Sequence, residues 1–400
     1  KAMNGGATTG DNNIAIGTGT MQAVNSGQRN IAIGQNALLV ATTNSDCIAI
    51  GFEALRNNYG GSCIGIGKNA GYTRTTGMGV DIYIGRDAGY SVKDGGQSVF
   101  IGPESTGYNV FDTQGSVYIG QGAAHNQTTG DYNVAVGAYS AAASATGSNA
   151  EYITMVGSYA GQYSTGSNNT FVGYQAGKGG NTSAPYSSGT NNVAVGGEAL
   201  TGFTTSTSNV ALGYRALKTI TTGGANIGIG VQAGDTLTTG GNNIVIGNAA
   251  DVASNDNQYN VILGSSLTAT DKNNAVFIGN GTNHIENDFN ADATWNYSSD
   301  VRQKTDIEDD TLGLDFINKI RPVVYKHKSP SEFPEEWSAY DADDKEPMGG
   351  DKRIHGLIAQ EVKEALDDVN IDSFGGWSEG DDGRQRVSRE MFVTPLIKAV

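Results

Sequence analysis

The sequence predicts a mainly β protein: a parallel homotrimer of a repetitive β-roll, with about 16 coils of about 17 residues, followed by a small α+β domain. Three observations lead there. A short apolar segment closed by glycine recurs at a nearly constant interval. Glycine supplies 58 of 400 residues and proline seven, with 38% hydrophobic and 16% charged residues, which fits neither collagen nor a disordered chain. Near residue 298 the composition then changes abruptly. Residues 1–298 hold 50 glycines and 29 charges, whereas residues 299–400 hold 8 glycines and 37 charges.

The repeat begins at Ile14-Ala15-Ile16-Gly17 and runs to Val276-Phe277-Ile278-Gly279. Its strand-final glycines include Gly17, Gly34, Gly51, Gly67, Gly85, Gly102, Gly120 and Gly137, and the series continues from Gly157 to Gly279. The longest interval, between Gly173 and Gly196, contains a Ser/Thr/Asn/Gly-rich insertion suited to a loop. Residues one and three before the glycine are mostly Ile or Val and share one strand face. The residue between them is small (Ala32, Ala211, Gly228) or aromatic (Tyr83, Phe100, Phe171), so the strand is covered on both sides. A coil this thin has little interior. The middle residues are therefore expected to face the shared axis of a trimer. Nine repeats place asparagine before the strand (Asn13, Asn30, Asn133, Asn169, Asn192, Asn209, Asn226, Asn243, Asn260), which predicts a ladder of stacked amides. Cys47 and Cys63 take that position in two successive coils, where stacked Cβ atoms suit reduced thiols better than a disulfide. Alanine three residues after the glycine (Ala37, Ala54, Ala199) predicts a second short strand. The rod is expected over 11–282, after a start at 1–10 and before a linker at 283–298. Its head-like pattern resembles the repeats of trimeric autotransporter adhesins of the YadA type, with their Asn-x-Ala-Ile-Gly motifs.

A net charge of −16 makes nucleic acid an unsuitable partner, since phosphate binding needs clustered Lys and Arg. No apolar run is long enough for a transmembrane helix, so no membrane insertion is expected. His125, His284, His327 and His355 lack metal-ligand spacing, and no phosphate loop precedes a helix; no metal and no cofactor are expected. The rod's sparse carboxylates form no recurrent pair of the kind a glycosidase requires.

In residues 299–400, Leu314 to Ile320 suits a helix ending before Pro322, and Val323 to Lys326 a strand. The Ile354-His355-Gly356 stretch reads as a strand and Ala359 onward as an amphipathic helix; Met391 to Val400 opens a last helix. Three segments carry a resemblance: Ser299-Asp300-x-Arg302-x-Lys304, the stretch from Leu314-Asp315 through Arg321-Pro322-Val323-x-Tyr325-Lys326, and Gly356-Leu357-Ile358-Ala359-Gln360-Glu361-Val362. Together they resemble the S74-type intramolecular chaperone domain at the C-terminus of phage tail fibres and spikes. That resemblance implies a domain that trimerises, templates the β-structure before it and then cuts itself off. It carries the family's serine–lysine dyad onto Ser299 and Lys304, with Asp300 and Arg302 as positioning groups. A serine hydroxyl needs a base, and a desolvated, neutral lysine serves as one. The scissile bond flanks Ser299, with Ser299–Asp300 favoured. The implied protein is a virion tail fibre or spike, made in the host cytoplasm. Its expected partners are two further copies, other virion tail proteins, and a host surface receptor or glycan. A trimeric cell-surface adhesin, or an uncleaved fibre that keeps the domain as a cap, is the alternative.

Overall fold

Each repeat closes on glycine because the next coil leaves no room for a side chain. A Cβ on Gly34, where φ is +135°, would lie 2.3 Å from the Gly51 carbonyl oxygen. On Gly213 the distance to Gly230 would be 2.4 Å. The computed structural model describes residues 9–40, 42–74, 80–105, 112–127, 129–142, 149–183, 186–281, 283–289, 296–297, 300–335, 337, 340–347, 351, 353–380 and 383–400. They fall into two units, Lys1–Ser298 and Ser299–Val400.

The first unit is a parallel β-solenoid. Sixteen short strands, from Ile14–Ile16 to Ala275–Asn280, form one ladder, each paired in register with the strand one coil away. Middle residues stack small on small in some coils, as in Ala194↔Ala211↔Gly228, and small on large in others, as in Tyr118↔Ala135. The interval of about 17 residues is one turn of the coil.

The orientation of the strands differs from the sequence expectation. Ala32, Ala49, Tyr83, Phe100, Ala211 and Phe277 are fully buried within the single chain, so the middle residues fill the coil's own interior and do not face an outside axis. The flanking Ile and Val residues form the outward face: Ile16 is 57% exposed, Leu212 46% and Ile278 39%. A strand apolar on both faces does not by itself reveal which face turns inward; the turns decide it.

Those turns occupy the alanine position, and a second short parallel pairing forms further along in some coils, Asn57–Asn58 with Thr73–Arg74 and Asp94–Gly96 with Asp112–Gln114. The residues two and four after the glycine take left-handed backbone, for example Asn36 and Leu38 (φ 58° and 54°), and Glu53 and Leu55 (φ 55° and 49°). Two such residues in five break extended geometry. Inter-coil bonding continues regardless, through Leu38 N–H to the Ala54 carbonyl at 3.1 Å.

The thin interior is filled by exchange of volume. Where the strand contributes an aromatic ring, the inner corner is glycine. A Cβ on Gly89 would lie 2.2 Å from the Tyr83 ring, and one on Gly177 would lie 2.4 Å from Phe171. Where the corner supplies leucine, the strand residue is small: Gly65 faces Leu55 and Gly228 faces Leu217, at 2.6 and 2.7 Å from a would-be Cβ.

The amide ladder forms as expected. Asn226 Oδ1 accepts from the Asn243 backbone N–H at 3.0 Å, while its Nδ2 donates to Asn209 Oδ1 at 3.1 Å and the Gly240 carbonyl at 2.9 Å. Cys47 and Cys63 are free and buried. Burial pushes the Cys47 thiol up to about 11, so it is an inert ladder member.

The ladder ends by reversing direction. Within the stretch expected as a linker, His284–Asp288 pairs antiparallel with the last rod strand, Phe277 opposite Glu286. His284, Glu286 and Asp288 thus lie on the interior face, and Lys272 reaches Glu286 at 3.3 Å and Asp288 at 3.8 Å. A two-residue strand, Asn296–Tyr297, follows.

The second unit contains helices α1 (Leu314–Ile317), α2 (Ala359–Asp368) and α3 (Val393–Ala399), close to the expected positions. Strand Val323–Tyr325 pairs with Ile354–Gly356. A hairpin of Trp377–Glu379 and Gln385–Val387 was not foreseen. Its core is small: Leu312, Phe316, Val362, Ala365, Leu366 and Phe392.

Candidate functional site

Residues 300–304 form one tight turn. Asp300 has extended backbone and caps a single 3-10 turn, Val301–Gln303; its Oδ1 accepts from the Arg302 backbone N–H at 2.9 Å. The Arg302 guanidinium folds back onto the same carboxylate, Nε to Oδ1 at 2.9 Å and Nη2 to Oδ2 at 2.5 Å. That hydrogen bond holds the Asp300 carboxyl below the usual carboxylate range. The Lys304 N–H closes the turn on the Val301 carbonyl at 3.1 Å. Asp300 and Arg302 therefore engage each other and shape the turn that leads to Lys304. Ser299 and Ser298 lie outside the described residues, so the Ser299–Lys304 geometry and the flanking bond do too.

Lys304 is exposed in the single chain, as are all residues from 301 to 311. Val301 and Ile307 project into solvent at 66% and 64% exposure. This arm carries Asp306, Glu308, Asp309 and Asp310 before Leu312 enters the core.

The same unit holds a groove of about 490 Å³, between the start of α2 and the Trp377–Val387 hairpin. Tyr325, Trp337, Leu357, Gln360, Val387 and Arg389 line it. Arg389 Nη1 donates to the His355 carbonyl at 3.1 Å, so an outward backbone acceptor of the Ile354–Gly356 strand opens here. Arg384 stacks over the Trp337 ring at 5.5 Å. The groove went unnoticed in the sequence, although Arg384, Arg386 and Arg389 within six residues are a basic cluster in a chain of net charge −16. Among the described residues no group of His, Cys, Asp and Glu could hold a metal ion.

Residues 299–371 match the family model Peptidase_S74, chaperone of endosialidase. No curated protein and no solved structure matches the chain. The matched segment spans the Asp300–Lys304 turn, α1, the paired strands and α2. The chain thus joins a long parallel β-solenoid to a segment similar to an intramolecular chaperone.

Proposed function

We propose that the chain is a trimeric attachment rod of the tail-fibre or spike kind, whose C-terminal unit guides assembly and then severs itself beside Ser299. One observation carries the assembly: the outward rows of Ile, Val and Leu that run the length of the solenoid, partly exposed in the single chain. An apolar surface this extensive marks an interface. On this reading, two further copies of the same stripe cover it. The family match at 299–371 supports the chaperone and the cut.

In the cut, Ser299 Oγ attacks a carbonyl carbon flanking it while neutral Lys304 Nζ takes the hydroxyl proton. The C–N bond breaks, the departing amine receives that proton, and water hydrolyses the remaining ester. Attack on its own carbonyl would close a four-membered ring, so cleavage of Ser299–Asp300 calls for the serine of another copy. The finished rod would recognise a host surface receptor or glycan.

The test is the intact mass and native size of the expressed chain, with Ser299→Ala and Lys304→Ala beside it. Wild type should lose a fragment beginning near Asp300, and both variants should persist as full-length trimers. Equal cleavage of Lys304→Ala would remove the dyad, and a monomeric folded rod would remove the trimer.

A further inference from the structure

We infer that the arm of one copy, residues 300–311, docks in the groove of a second copy beside Arg384 and Arg389, completing the cleavage site between chains. The inference rests on the proposed assembly, and names the surfaces that meet. The arm lies off its own groove, with residues 301–311 exposed. It offers Val301 and Ile307, spaced six residues apart, then four carboxylates within five residues. The groove offers the matching set: an apolar floor of Tyr325, Leu357 and Val387, and two guanidinium groups at Arg384 and Arg389.

Geometry agrees with charge. Among the described residues, Val323–Tyr325 with Ile354–Gly356, and Trp377–Glu379 with Gln385–Val387, are separate two-stranded sheets, and an outward carbonyl of the first, His355, is held by the Arg389 side chain. An extended chain laid between them gains main-chain partners, the mode by which strand addition gives affinity. Docking also answers the exposure of Lys304: a lysine serves as base once its ammonium is desolvated, and covering the arm is what removes water from it.

The test uses the full chain in a Cys47→Ser/Cys63→Ser/Ser299→Ala background, which keeps the arm attached and removes native thiols. Two chains with tags of different length are co-expressed, one bearing Ile307→Cys and the other Val387→Cys. A second pair bears Val301→Cys and Gln360→Cys. Mild oxidation should give a reducible band containing both tags from at least one pair, and no mixed band from either pair overturns the docking. Asp309→Arg/Asp310→Arg in the arm should lower that yield roughly fivefold; an unchanged yield overturns the charge-guided seat. Processing of the wild type is scored separately. A mixed band with an uncleaved wild type leaves the docking standing and ends the proteolytic reading, whereas cleavage without any mixed band does the reverse.

Discussion

In the rod, one or two large side chains fill a coil, as Leu200 and Phe203 do, and backbone groups bond to the coil above or below. In residues 299–400, a core of six buried residues sits among elements that leave Val301, Ile307, Val393, Leu396 and Ile397 exposed. The rod varies inside but repeats outside: the outward strand positions are almost all Ile, Val or Leu, and the strand-final glycines stack on one another. Sliding one copy along another by a coil replaces almost every contact with an equivalent one. Nothing in such a repeat tells three chains which coil belongs beside which. On the proposed assembly, a non-repeating unit would remove that degeneracy, because its groove and arm occur once per chain. The contrast would then give a physical reason for joining such a unit to a solenoid: the rod would supply stability, and the unit register.

The sharpest way to break the comparison is to charge the two faces of one strand in turn. Ala211→Asp buries a carboxylate where no partner exists, at a cost of several kcal/mol, and should abolish the soluble rod. Its neighbour Leu212→Asp points outward, so the coil should still fold while the trimer is lost, as read by light scattering beside circular dichroism. If Leu212→Asp remains trimeric, the outward stripe is not the interface. Next in size is the amide ladder: Asn226→Ala leaves the Asn243 N–H and the Gly240 carbonyl without their bonds, costing about 2–3 kcal/mol by thermal melting. The volume exchange should show as coupling. Gly228→Ala crowds Leu217 and costs about 1–3 kcal/mol, and pairing it with Leu217→Ala should cost less than the two separate losses added together. The smallest effect concerns Asp251, whose carboxyl is raised to about 6 by burial and by nearby Asp235. A carboxyl raised in the folded state binds its proton more tightly there, so its contribution falls as pH rises from about 4 to about 6. Asp251→Asn should therefore flatten the change in melting temperature across that window relative to wild type. An identical slope in both proteins removes Asp251 as its source.

The repeat was legible because stacked glycines admit no substitute, so their spacing is written directly into the chain. The amide ladder was legible for the same reason: one residue type satisfies both the donor and the acceptor of a stacked coil. Orientation was not, since Ile-Ala-Ile and Val-Phe-Ile are apolar on both faces. The left-handed corners were hidden because Leu38, Leu55 and Glu53 are not residues that announce positive φ. Three-residue strands such as Gln385-Arg386-Val387 are too short for alternation to stand out, which concealed the groove they help to wall. The Asp300–Lys304 turn could be read only through resemblance, as four polar residues and one valine in a charged stretch carry no periodicity.

The reversed strand at His284–Asp288 has a consequence for polymer growth. A parallel ladder is a template at both ends, and a rod whose last coil lay open would add a second rod as readily as it added its own coils. Turning the final strand antiparallel changes the bonding pattern, and Glu286, Asp288 and Lys272 put charges where the next coil would need oil. These residues precede Ser299, so the proposed cut there would leave the stopper on the rod. Like a chain terminator in a polymerisation, it would make the rod's length a property of its gene and not of its concentration.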